Sequence, residues 1–128
     1  MKVLSVLMLA LALTACGPTG DPNTTNAAFA AGLCSQNVEQ VWNATDVDLQ
    51  AEFTAAAEFY GLDAHEMIAD SIAWPDGTIC NEAKYVGAYK DRDGNAASMY
   101  VFTFTDETGT WSIFYLFTST TSGVVAVQ

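Results

Sequence analysis

Bases are nearly missing from this chain: four lysines and arginines and one histidine stand against 15 acids, a formal net charge of −11. So acidic a surface excludes nucleic acid and anionic headgroups as electrostatic partners. A solvated acidic face explains the charge without invoking a bound cation. No apolar run reaches the roughly 18–20 residues that a membrane-crossing helix needs. The G-x-S-x-G elbow, the Walker loop and the dinucleotide fingerprint are all absent, as are C-x-x-C and His-pair spacings for zinc. Those gaps remove the usual signatures of acyl transfer, nucleotide chemistry and metal catalysis. No cofactor and no metal is expected.

What is present begins at the N-terminus. Met1-Lys2 supplies one positive charge, and Val3 to Leu13 follows as an almost unbroken apolar stretch. A charged start, a short apolar run and then small residues form a secretory signal peptide. The run stops on Leu13-Thr14-Ala15-Cys16, which resembles the lipobox of bacterial lipoproteins: an aliphatic residue, two small residues and a cysteine. The resemblance implies cleavage after Ala15, so that 1–15 is a signal peptide and Cys16 becomes the first mature residue. It also implies a diacylglycerol on the Cys16 thiol and further acylation of the new N-terminus. Several acyl chains anchor a protein stably where one does not. The partner so implied is the membrane, and the location is the bacterial cell envelope. In that family an Asp after the cysteine favours inner-membrane retention; Gly17 stands there, which points to the outer membrane.

Three cysteines leave an even pair once Cys16 is lipidated. In an oxidising compartment Cys34 and Cys80 are then expected to form a disulfide. It would close a loop of about 46 residues and stabilise the fold by roughly 3–4 kcal/mol in the chain-entropy account. Removing 1–15 leaves three bases against all 15 acids, a mature charge of −12.

Residues 16–26, rich in Gly, Pro, Asn and Thr, read as the lipidated cysteine and a flexible tether. A single domain is expected over 27–128. Ala27, Ala30, Ala31, Cys34, Val38 and Val41 recur at helical steps, as one helix or as a turn and a helix from Ser35. A further helix is capped by Thr45 or Asp46, with Leu49, Phe53, Ala56, Ala57 and Tyr60 inward and Gly61 at its end. Another starts at Asp63 with Glu66 as its capping-box partner and stops at Trp74-Pro75-Asp76-Gly77. From Thr78 the period changes to two, and strands are expected at 79–90, 97–105, 110–118 and 123–128. The fold class is therefore α+β: two to three N-terminal helices packed on one face of a four-stranded antiparallel meander.

The turn at 106–109 pairs Phe104 with Trp111, Phe102 with Ile113 and Tyr100 with Tyr115. One face then gathers Tyr85, Tyr89, Tyr100, Phe102, Phe104, Trp111, Ile113, Tyr115 and Phe117, and it is expected to lie buried under the helices. The other holds Met99, Val101, Phe114 and Leu116 at its centre, with Val86 and Ala88 beside them. If no helix covers it, this is an apolar patch for a protein or apolar-ligand partner.

Asp91-Arg92-Asp93-Gly94-Asn95 fails as a calcium loop, because the glycine stands fourth rather than sixth and Phe102 occupies the twelfth place. It reads as a hairpin turn. His65, the only histidine, has Ile68 and Ala69 three and four residues on, so its own helix offers no carboxylate there. The order of helices before a meander is loosely similar to cystatin-like and nuclear-transport-factor-like folds. That likeness implies a small apolar ligand or a weak hydrolase-type site near His65, and it carries no residues across. The functional expectation is a lipid-anchored envelope lipoprotein acting as a non-catalytic binding, structural or assembly module.

Overall fold

The computed structural model describes residues 20–128. Cys16 and the rest of the lipobox lie outside the described residues. Among the described residues four helices precede four strands: α1 Thr24–Ser35, α2 Val38–Ala44, α3 Val47–Phe59 and α4 Ala64–Ile72, then β1 Ile79–Lys90, β2 Ala96–Asp106, β3 Gly109–Ser119 and β4 Val124–Val127. The strands form one antiparallel sheet in the order β1-β2-β3-β4. This is the expected α+β meander, with four helices where two to three were expected.

The extra helix comes from a break at Gln36, whose φ of 59 places it in the left-handed region. Its backbone N–H reaches back to Gly32 and Leu33, and Asn37 then caps α2 by accepting from the Gln40 N–H at 3.1 Å. The 27–41 stripe is thus two helices folded on each other. Gly32 permits the fold: a Cβ there would stand 3.1 Å from both Gln40 and Val41 side chains.

The fold also starts earlier than residue 27. Asn23 caps α1, accepting from the Asn26 N–H at 2.9 Å and donating to Ser119 Oγ at 2.9 Å. Buried Asn26 donates to Ser98 Oγ at 2.9 Å, and Asp21 Oδ2 accepts from the Tyr100 hydroxyl at 2.6 Å. Residues 21–26, read as tether from their polarity, are instead held by partners 72 to 96 positions away. Buried polar side chains persist when they find such partners.

α3 and α4 follow the cap signals. Asp46 caps α3, and Asp63 with Glu66 forms the capping box of α4. The inner face assigned to α3 is only partly covered, however. Ala57 is buried, Leu49, Phe53 and Ala56 are half-buried, and Tyr60 is exposed, with only the equally exposed Phe59 ring shown against it.

α1 lies directly on the sheet, with Phe29 against Phe117 at 5.4 Å between ring centroids. α2 packs on α1, and α4 packs on α2 and α3. Beneath them Tyr100, Phe102, Phe104 and Phe117 are all 0 % exposed. Burial of each such side chain contributes roughly 1.5–3 kcal/mol, and edge-on ring contacts of Tyr100 with Phe117 and of Phe102 with Tyr115 add to it. Cys34 at the end of α1 is bridged to Cys80 at the start of β1, Cα atoms 5.3 Å apart, the pair expected once Cys16 is set aside.

The β2–β3 pairing is the expected one: Phe104↔Trp111, Phe102↔Ile113 and Tyr100↔Tyr115. The β1–β2 pairing is not, because register shifts fall between Cys80 and Glu82 and between Tyr85 and Gly87. A bulge of one residue exchanges the two faces. Tyr85 still opposes Tyr100 on the helix side, but Tyr89 opposes Ala97 and Gly87 opposes Met99. Tyr89 therefore stands on the open face, half exposed, rather than under the helices. The same shift removes Ala88 from the open face, where it was placed, since it opposes Ser98.

Candidate functional site

The sheet presents its second face to solvent, since α1 sits on the first and no other described element crosses it. At its centre Val101 opposes Phe114 and Met99 opposes Leu116. Met99, Val101 and Leu116 are half-buried among their neighbours, and Phe114 is 64 % exposed. Val86, at the bulge, is exposed as well. Toward the β2–β3 turn the face becomes polar. Thr103 and Ser112 hydroxyls meet at 3.2 Å, Thr105 and Thr110 at 3.3 Å, and Asn81 donates to Thr105 at 2.6 Å. Glu82 and Lys84 oppose Thr103 and Val101 from β1 and supply a charged rim. An apolar centre with a polar rim is the anatomy of a protein contact surface. The four predicted patch residues are together and uncovered.

The inner face departs from expectation at β3. Trp111 and Ile113 share the side of Phe104 and Phe102, yet each is 40 % exposed. Helix cover reaches β3 at its Phe117 end, and β4 pairs only with Leu116 to Ser119. Trp111 is fixed locally instead. Its indole stacks on Phe104 at 4.5 Å, and its Nε1–H donates to Asp106 Oδ2 at 2.8 Å. Asp106 also accepts from the Thr108 hydroxyl at 2.5 Å and N–H at 2.8 Å. Those donors, the Thr108 hydroxyl first, hold the Asp106 carboxyl below the usual range for an aspartate.

A second carboxylate ties the helices to the sheet. Asp46 accepts from the hydroxyls of Ser122 and of Thr120 (2.7 Å) and from the N–H of Asp48 (2.9 Å). The Ser122 contact leads in holding its carboxyl below the ordinary aspartate value. Next to it the Asp46 N–H donates to Val124 O at 3.0 Å, and Gly123 passes so close that a Cβ would stand 2.5 Å from the Asp46 nitrogen. At the β1–β2 turn Asp91 accepts from the N–H groups of Asn95 (2.8 Å) and Asp93 (2.9 Å). That is an Asx-type turn, and the Asn95 N–H leads in lowering the Asp91 carboxyl.

His65 gains a partner its own helix did not offer. Nε2 lies 3.0 Å from Glu39 Oε2 on α2, Nδ1 lies 3.7 Å from Asp63 Oδ2, and the ring rests 4.9 Å from Trp42. The pairing depends on the α1–α2 break, which brings Glu39 across, so no sequence spacing announces it. The cluster is at the surface, its carboxylates mostly exposed. Surface ion pairs of this kind contribute little, about 0–1 kcal/mol. An apolar cavity of about 150 Å³ lies elsewhere, lined by Phe29, Val41, Leu49, Phe53, Ile68 and the β4 residues, and His65 is not in its wall. Among the described residues no group of three or more His, Cys, Asp or Glu is placed to hold a metal ion. Among the same residues no helix is long and apolar enough to cross a membrane.

No protein family, no curated protein and no solved structure matches the chain. The likeness to cystatin-like and nuclear-transport-factor-like folds therefore stays one of element order alone.

Proposed function

We propose that this protein is a lipid-anchored lipoprotein of the bacterial cell envelope that acts as a non-catalytic binding or assembly module. The observation that carries the module reading is the open sheet face, where Phe114 stands 64 % exposed beside Met99, Val101 and Leu116. An apolar patch of this kind on an otherwise strongly acidic chain is a contact surface by its chemistry. The anchor rests on Leu13-Thr14-Ala15-Cys16, which resembles a lipobox, and Gly17 favours the outer membrane. Mass spectrometry of the mature protein tests it: an acyl mass on an N-terminal Cys16 is expected. An N-terminus elsewhere, or an unmodified Cys16, contradicts it. Cys16→Ala should release the protein from the membrane fraction or leave it unprocessed.

A second reading, a small apolar ligand, is favoured by the 150 Å³ cavity between α3, α4 and β4. An aliphatic probe that raises the melting temperature, an effect lost in Phe53→Asp, would support it; a dry cavity indifferent to such probes would not.

A further inference from the structure

Among the described residues Asp21 is the first that the fold holds. Its carboxylate accepts from the Tyr100 hydroxyl at 2.6 Å and from the Asn23 N–H at 2.9 Å. Asn23 donates in turn to Ser119 Oγ, and Asn26 to Ser98 Oγ, each at 2.9 Å. These contacts fix where the chain enters the domain. The entry is on the helix side of the sheet, where Tyr100 opposes Tyr115 and Ser98 opposes Phe117.

The entry also lies at one end of the sheet. Asp21, Pro22 and Asn23 share a pocket wall with Tyr89, Lys90 and Ala97. β1 ends and β2 begins there, as do β3 and β4, so the turns 91–95 and 120–123 belong to this end. The 106–109 turn is at the other, with the Cys34–Cys80 bridge at the start of β1. Five residues separate Cys16 from Asp21, and by whatever path they span at most about 18 Å. Strands of 11 residues run about twice as far, roughly 35 Å.

We propose that the domain stands on this end, with the turns 91–95 and 120–123 against the lipid headgroups and the strands directed away from the membrane. The proposal rests on the lipid anchor at Cys16 and deepens the module reading. Phe114 lies five residues from Ser119, about 17 Å up the strand. The open face is thereby turned sideways, toward a protein standing on the same membrane and not toward the bilayer.

Charge selects the same end. The mature chain has three bases, and two of them, Lys90 and Arg92, are exposed here beside Asp93. The 120–123 turn is uncharged. Residues 38–73, by contrast, carry eight acids and no Lys or Arg. At the far tip Asp76, Asp106 and Glu107 surround one pocket with no base in its wall. Anionic headgroups repel both of those surfaces, within a Debye length of about 8 Å at physiological salt. The open face is apolar, but it is opposite the side on which Asp21 enters. Laying it on the bilayer would send the chain between Cys16 and Asp21 around the sheet, from one face to the other.

The test uses the full lipidated chain in vesicles of phosphatidylethanolamine and phosphatidylglycerol that carry an energy-transfer acceptor on a headgroup. With Cys16 acylated and Cys34 bridged to Cys80, one added cysteine is the only free thiol for a donor dye. Donors go in turn on Asp93→Cys, Ser112→Cys, Glu107→Cys and Asp70→Cys, all at exposed positions. Transfer should be strongest at 93, weaker at 112 and weakest at 107, which should stand about 30–35 Å above 93. Position 70, on the acidic helical layer, should also transfer less than 93. Transfer at 112 or at 70 equal to that at 93 would overturn the proposal, because the open face or the helices would then lie on the lipid. A second variant, with about ten Gly and Ser residues inserted between Gly17 and Pro18, frees the domain from a short tether. Its heights should converge, and an order unchanged by the insertion would overturn the tether as the cause. A chain with no acyl mass that leaves the membrane fraction fails the anchor reading and this proposal with it. An acylated, vesicle-bound chain with equal transfer at all four positions overturns the orientation alone.

Discussion

The two ends of β3 have the same composition class, the same parity and the same partner strand, yet they live in different solvents. Phe117, Thr118 and Ser119 are buried under α1 and beside β4, with Phe29 resting on Phe117. Gly109 to Phe114 are all exposed, Trp111 and Ile113 each at 40 %. Alternation decides which side a residue takes. What lies over that side decides whether it is core. An aromatic on the inner face is worth several kcal/mol at one end and much less at the other.

Truncation should expose that difference most strongly. Phe117→Ala or Phe102→Ala should cost about 3–5 kcal/mol, enough to unfold a marginal domain. Trp111→Ala, on the same face, should cost about 1–2 kcal/mol for the part of its surface that is covered. Urea unfolding of the two variants measures both, and equal losses would erase the distinction between the ends.

The disulfide belongs to the closed side, joining α1 to β1. Its reduction, or Cys34→Ala with Cys80→Ala, should lower stability by roughly 3–4 kcal/mol while leaving the β2–β3 hairpin register in place. Thermal melts with and without reductant read this directly. An unchanged melt would mean that α1 needs no staple to stay on the sheet.

Acid should loosen the closed end. The Asp46 carboxyl is lower in the folded chain than its ordinary value of 3.8, led by the Ser122 hydroxyl. A lowered folded value means stability that is present above about pH 4 and lost as pH falls through the folded value. Asp46→Asn should therefore flatten the acid limb of the stability curve and loosen β4 and α3 together. An acid limb unchanged in that variant would place the titrating groups elsewhere, at Asp91 or Asp106, which are also lowered.

Much of this was written in local signals. The β2–β3 register follows from the turn at 106–109, because slipping it by one would set Phe104 against Ser112. The α4 capping box is visible as Asp63 and Glu66, and the odd cysteine count isolates Cys34 and Cys80. The β1 bulges were not legible, since one inserted residue changes no composition, and they are what moves Tyr89 to the open face. Asp21, Asn23 and Asn26 looked like solvated tether because their partners, Tyr100, Ser119 and Ser98, are remote in sequence. Glu39 beside His65 is hidden for the same reason. Of the candidate site, the patch residues and their pairings were readable from parity.

The smallest expected effect is the most informative. Phe102 and Phe114 sit on neighbouring strands of one hairpin, one sealed and one 64 % exposed. Urea unfolding of Phe102→Ala and Phe114→Ala, side by side at low micromolar concentration, tests the open face most directly. The account predicts a loss of about 3–5 kcal/mol for the first and a change within about 0.5 kcal/mol for the second. Comparable losses would contradict it, because Phe114 would then be core and the sheet would have no open face to offer a partner.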